Sequence, residues 1–175
     1  MENLFENQQI DISELPLVEE VDWVSLNKKY LPISLLGLWL FGAILCGIFL
    51  TVNFMNVNLI KQDWIVWAVI GGILSLFLLS SVLSIFGFKH KAYALREHDV
   101  LYKSGLVFRK IIALPYNRVQ HSEINQGPIE RNFNLAQLEV FTAGGSNSDL
   151  IIPGLLNEDA QRIKTFIMEK SASHE

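Results

Sequence analysis

Apolar residues are gathered into blocks along this chain. No charged side chain occurs from 30 to 60, and the densest part, 31–52, reads LPISLLGLWLFGAILCGIFLTV. A second uncharged run, 64–88, reads WIVWAVIGGILSLFLLSSVLSIFGF. As helices these runs are about 33 Å and about 37 Å long, against a hydrocarbon core of about 30 Å. Both are apolar all round, and the rest of the chain is too small to bury two such helices on every side. The pattern predicts transmembrane helices at 31–52 and 64–88. The first run lies behind an acidic segment and is too long for a cleaved signal peptide.

The link 53–63 is short and carries Asn53, Asn56 and Asn58 as turn formers, so the two helices form an antiparallel hairpin. Lys28 and Lys29 precede it, and Lys89, His90 and Lys91 follow it, while the link has Lys61 alone. The positive-inside rule then places both termini in the cytoplasm and 53–63 outside, as an external loop. Trp64 and Trp67 stand where an aromatic belt would place them, and Trp39 lies deeper, at a depth where it can face the partner helix. Neither helix contains Asp, Glu, Lys, Arg or His, which argues against an ion or proton path through the hairpin. Small residues four apart give candidate helix-packing positions at Ala43, Gly47, Ala68, Gly71, Gly72 and Ser75, within the chain or between chains.

After 88 the period changes from helical to alternating. Tyr93, Leu95, Val100 and Tyr102 alternate with polar residues, as in half-buried strands, with Glu97-His98-Asp99 as the turn between them. Lys103-Ser104-Gly105 reads as the next turn, and 106–114 (LVFRKIIAL) as a strand ended by Pro115. The segment 119–126 is polar on both faces except at Val119 and Ile124, as an edge strand would be. Gly127-Pro128 reads as a turn, 137–142 as a strand, 143–147 as a loop and 149–153 as a short strand. Asn157 reads as an N-cap, followed by Glu158 and Asp159 and an apolar stripe at Ala160, Ile163, Phe166 and Ile167. The expected fold is a two-helix transmembrane hairpin followed by a mainly-β domain at 89–170, with about six antiparallel strands closed by a C-terminal helix, and a tail at 171–175.

Several ordered segments carry a resemblance. They are Tyr93-Ala94-Leu95, Lys103-Ser104-Gly105-Leu106, Leu114-Pro115-Tyr116-Asn117-Arg118-Val119-Gln120, Gln126-Gly127-Pro128-Ile129-Glu130-Arg131, Phe141-Thr142-Ala143-Gly144-Gly145 and Glu158-Asp159-Ala160. In this order the chain resembles the bacterial PH-domain membrane proteins of the YdbS-like type over about 31–170. The resemblance implies a pleckstrin-homology-like, partly open barrel of six to seven strands in the cytoplasm. It also implies a multi-pass protein of the bacterial cytoplasmic (inner) membrane. It brings no established activity and no cofactor. A full barrel has seven strands, so an open edge would be completed by another subunit.

Composition sharpens this picture. Of the residues 50% are hydrophobic and only 18% charged, below the roughly 25% usual in soluble domains. The net charge of -4 argues against nucleic-acid binding. The acidity sits in the first thirty residues, with Glu2, Glu6, Asp11, Glu14, Glu19, Glu20 and Asp22 against Lys28 and Lys29. This segment, 1–30, reads either as a mobile cytoplasmic tail or as a segment that docks on a partner or on the chain's own domain. Cys46 alone makes neither an intrachain disulfide nor a thiolate cluster.

Chemistry-bearing motifs are sparse. His121-Ser122-Glu123 has the His-x-Glu spacing of zinc deaminases without the Cys-x-x-Cys those enzymes need. Lys103-Ser104-Gly105 has no phosphate-loop context. His90, His98, His121 and His174 show no metal-ligand spacing, and no serine sits in a nucleophile elbow. The chain therefore reads as non-enzymatic, without metal or cofactor. Lys103, Arg109 and Lys110 near one hairpin are candidate contacts to an anionic lipid. The expected partners are the lipid bilayer and a second copy or a related PH-domain membrane protein. The leading reading is an interaction module acting through assembly. Lipid-headgroup sensing and an accessory role in a transport or envelope-stress system are the alternatives.

Overall fold

The computed structural model describes residues 21–55, 63–143 and 148–173. Most of the acidic segment (1–20), the centre of the interhelical link (56–62), the glycine loop at 144–147 and the last two residues lie outside the described residues.

The chain enters through a two-residue strand, β1 (Val24–Ser25), and then forms two long helices, α1 (Tyr30–Met55) and α2 (Asp63–Phe88). Both helices are long and apolar enough to cross a membrane. They expose large apolar side chains on most faces, including Leu40, Phe41, Ile48, Leu76 and Leu78. Their mutual contact centres on Gly42, whose missing side chain leaves room for the Phe77 ring. A Cβ there would stand 3.0 Å from the ring. Trp39 packs beside the same ring at 6.4 Å between centroids, so it does face the partner helix.

Two antiparallel sheets follow. One has the order β1-β2-β3-β4, with β2 (Ala92–Leu95), β3 (Asp99–Ser104) and β4 (Lys110–Pro115). The other has the order β5-β6-β7, with β5 (Val119–Asn125), β6 (Leu135–Thr142) and β7 (Leu150–Leu156). A 3-10 turn (Tyr116–Arg118) joins the sheets, and a short helix, α3 (Pro128–Asn132), joins β5 to β6. The last helix, α4 (Asn157–Ala172), packs Ala160, Ile163 and Ile167 into a core that includes Val100, Tyr102, Leu138, Val140 and Ile152. Each fully buried Leu, Ile or Val contributes about 1.5–3 kcal/mol.

The seventh strand comes from ahead of the helices. Val24 pairs with Tyr93 and Ser25 with Ala92, so the whole helical hairpin is the connection between two neighbouring antiparallel strands. Leu26 then enters the core at 3% exposure. The segment 21–30 is thus partly built into the domain, and the first sheet gains an edge strand from its own chain. The two sheets do not merge into one closed barrel. The segment 119–125 is at a sheet edge, as its two-sided polarity suggested.

Local expectations shift at several points. The strand expected over 106–114 begins only at Lys110. Gly105 has φ 101°, and the carbonyl oxygen of Phe108 lies 1.8 Å from where its Cβ would be, so 105–108 closes as a tight loop. Lys103 and Ser104, read as turn residues, belong to β3. Gly127-Pro128 opens a helical turn in place of a simple reversal, because Pro128 suits the first helical position and Glu130 accepts from the Gly127 N–H at 2.9 Å. The last strand runs on to Leu156, and Asn157 is the first residue of α4, its N–H donating to the Asn134 carbonyl at 3.0 Å.

The helices are clamped to the domain at Tyr30. Gly154 has φ 65°, and a Cβ on it would lie 2.5 Å from Tyr30 Cγ. The Asn27 N–H donates to the Gly154 carbonyl at 3.2 Å, and the Tyr30 and Phe88 rings lie 6.4 Å apart. Only glycine fits there, for both backbone and space. Gly154→Ala should cost at least about 1–2 kcal/mol from the backbone conformation alone. It should lower the melting temperature of the full chain in mild detergent and open 27–30 to protease, and an unchanged melting temperature would refute the clamp.

A second pin holds the β2–β3 turn. The Arg96 guanidinium pairs with the Asp99 carboxylate, and the buried Tyr116 donates its hydroxyl proton to the Arg96 carbonyl at 2.9 Å. Burial pushes the phenols of Tyr116 and Tyr102 up to about 12 from an ordinary 10.0. The unfolded chain loses these protons first, so the tyrosines' contribution is full below about pH 10 and is lost as pH rises through about 12. Denaturant titration across that range should show the decline, and Tyr102→Phe and Tyr116→Phe should each remove part of it.

Candidate functional site

β2 leaves the end of α2 and β3 returns beside it, with Ala92 opposite Lys103. This return brings the β3–β4 connection back to the foot of α2. There Lys103, Arg109 and Lys110, the three residues proposed from sequence, line one cleft of about 500 Å³. Lys89 and His90, the first residues beyond α2, line it too, as does Trp23 just ahead of β1. Lys103 Nζ lies 4.1 Å from the centre of the Trp23 ring, within range of a cation–π contact.

Among the described residues the charged groups lining the cleft are all basic. Among the described residues no carboxylate stands within 4 Å of Lys89, Lys103, Arg109 or Lys110, and ion pairs form at Arg96, His98 and His121. His90 is turned toward its own helix, with Nδ1 3.0 Å from the Phe86 carbonyl. The neighbouring Lys91 faces inward, 5.5 Å from the centre of the Tyr30 ring, and burial pulls its pKa below the usual lysine value. A clustering of ammonium and guanidinium groups can hold a phosphate or carboxylate by charge-assisted hydrogen bonds. A slightly larger depression, about 570 Å³, lies between the 3-10 turn and the end of α4, but Arg118 is its only charged lining residue. We therefore take the cleft at the foot of α2 as the candidate site.

Sequence reasoning found the three cations near the hairpin and missed Trp23, Lys89 and His90 as their companions. Lys89 and His90 had a readable signal, because they follow directly on an apolar run that ends at the level of the same hairpin. Trp23 had none, because its place depends on β1 pairing with a strand nearly seventy residues away.

The candidate helix-packing residues are placed differently from a simple intrachain seam. Ala43, Gly47, Ala68, Gly71, Gly72 and Ser75 are all exposed. A Cβ on Gly47, Gly71 or Gly72 would meet nothing within 4 Å. The close approach of the two helices falls on Gly42 and Phe77 instead. The histidines serve local contacts: His121 stacks on Phe141 at 4.3 Å, and His98 lies 4.0 Å from Glu97. Among the described residues no group of three or more His, Cys, Asp or Glu side chains could hold a metal.

Comparison with known proteins agrees with this architecture. A family model described as Bacterial PH domain matches residues 31–171. The chain is 34% identical over 110 residues to the UPF0699 transmembrane protein YdbS of Bacillus subtilis (strain 168), covering 59% of this chain and 66% of the relative. It is 26% identical over 102 residues to the UPF0699 transmembrane protein YdbT of the same organism, covering 58% of this chain and 20% of that one. The chain thus spans just under two thirds of the first relative's length and a fifth of the second's. Among solved structures, a DUF1696 family protein with a pleckstrin-homology domain from Shewanella loihica PV-4 matches at TM-score 0.38 and 14% identity, covering 46% of this chain and 70% of that one.

Proposed function

Because this chain belongs to the bacterial PH domain family, we propose that it is a membrane-anchored PH-like module that works through assembly with a second copy or a related PH-domain membrane protein. The observation that carries the reading is the open small-residue surface of the hairpin. The helices meet at Gly42 and Phe77, which leaves Gly47, Gly71 and Gly72 with empty space where another helix backbone could approach. Lipid chains are as apolar as leucine side chains, so helices associate in a bilayer by close packing, for which such glycines are suited. In this reading α1 and α2 span the cytoplasmic membrane of a bacterium, and both termini lie in the cytoplasm with Lys28, Lys29, Lys89 and Lys91. No catalytic role is assigned to it.

The glycines also supply the test. Gly71→Leu and Gly47→Leu begin their side chains in open space, so the hairpin should persist while the assembly is lost. Crosslinking in native membranes followed by mass analysis should show an adduct for the parent chain and little or none for the variants. A parent chain that is strictly monomeric and partnerless would refute the proposal.

A second reading is favoured by the cleft at the foot of α2, whose four cations have no carboxylate within 4 Å among the described residues and suit an anionic lipid headgroup. Each basic residue at a membrane surface is worth about 1 kcal/mol of attraction to an anionic leaflet. Arg109→Ala with Lys110→Ala should then reduce the enrichment of anionic lipid around the chain by roughly ten- to thirtyfold. The full chain must be used, since a fragment starting at 89 lacks β1, Leu26 and Tyr30. Lipid co-purified in mild detergent is the readout, and equal anionic content in parent and variant would exclude this reading.

A further inference from the structure

The loop between β3 and β4 presents an apolar tip. Val107 is 75% exposed and Phe108 89% exposed. The adjoining Leu106 is half-buried against the end of α2, its Cβ 3.9 Å from where a side chain on Gly87 would begin, and it shares a depression with Leu83, Ser84 and Phe88. Leu83 lies about 7 Å inside the uncharged stretch that ends at Phe88, at 1.5 Å of rise per residue. Leu106 therefore stands beside α2 at the level of Gly87, two residues before its first charged residue, Lys89. The tip is also held firmly. Gly105 at φ 101° and the Phe108 carbonyl packed against it close the loop tightly.

The geometry points to a membrane wedge: Val107 and Phe108 insert into the headgroup–acyl boundary of the same leaflet from which α2 emerges, and seat the PH-like domain on the bilayer. The inference rests on the reading that α1 and α2 cross a membrane. The apolar tip is continuous with the apolar surface of α2 through Leu106. Lys89, Arg109 and Lys110 line the cleft next to it, so with the tip in the acyl boundary this cationic collar would meet the phosphate layer. A symmetric contact with a second copy through this tip would bring the same cations face to face, at a cost in like-charge repulsion. The wedge also gives Gly105 and the shift of β4 to Lys110 a purpose: they keep the three apolar residues out of the sheet and free to reach the bilayer.

The test uses the full chain on a Cys46→Ser background. Single cysteines are introduced at 107, 108, 97 and 79, labelled with a nitroxide and reconstituted into vesicles of phosphatidylethanolamine and phosphatidylglycerol. Collisions with oxygen, which concentrates in lipid, are compared with collisions with a water-soluble nickel chelate. Labels at 107 and 108 should favour oxygen several-fold, as the label at 79 in α2 does. The label at 97, in the β2–β3 turn at the opposite end of β3, should favour nickel. If 108 favours nickel while 79 favours oxygen, the wedge is refuted and the membrane-spanning reading stands. If 108 is shielded from both reagents, a protein covers the tip and the wedge is equally refuted. If 79 itself favours nickel, the spanning reading fails and the wedge fails with it.

Discussion

Val24 and Tyr93 face each other in one antiparallel ladder although two 26-residue helices separate them along the chain. A strand of two residues has little stability of its own, and it persists because its flanks are anchored. Leu26 is buried in the core on one side of the turn into α1, and Tyr30 sits in the space that Gly154 leaves open. The ends of α1 and α2 are therefore held at one end of the first sheet. The hairpin is the loop of a β-hairpin, and the domain cannot swing on a flexible tether at both attachments.

The location of the cationic cleft follows from the same constraint. β2 and β3 are antiparallel, so a chain that leaves the foot of α2 along β2 must come back along β3. That return places Lys103, Arg109 and Lys110 beside Lys89, and the pairing of β1 places Trp23 against Lys103. The chain as a whole is acidic, yet among the described residues the charged side chains that line this cleft are Lys89, Lys103, Arg109 and Lys110. Net charge describes the composition and conceals the local field, and the local field is what an anionic headgroup would meet.

The helical pair obeys a different economy. In a lipid environment apolar area supplies no drive toward association, so a contact forms where shapes fit. Gly42 leaves room for the Phe77 ring, one such fit between the two helices. The other small residues are left outward. The small residues counted four apart, Gly47, Gly71 and Gly72 among them, have open space where a Cβ would stand, while the close approach within the chain falls on Gly42 and Phe77.

The two long helices, their order and the mainly-β domain closed by α4 were legible in the sequence, because uncharged length, alternation and a 3-4 stripe are local signals that each segment carries alone. The edge character of 119–125 was legible for the same reason. The residues 106–109 were misread as strand because β-propensity does not report which face is covered, and here Gly105 turns the chain out of the sheet. β1 could not be read at all: two residues carry no period, and their strand state comes wholly from Ala92 and Tyr93. The sequence by itself determined which segments are apolar, how long they are and where charge stops. Only the tertiary structure decided what stands beside what at the foot of the hairpin, because pairing between distant strands is a property of the assembled backbone and leaves no mark on either strand taken alone.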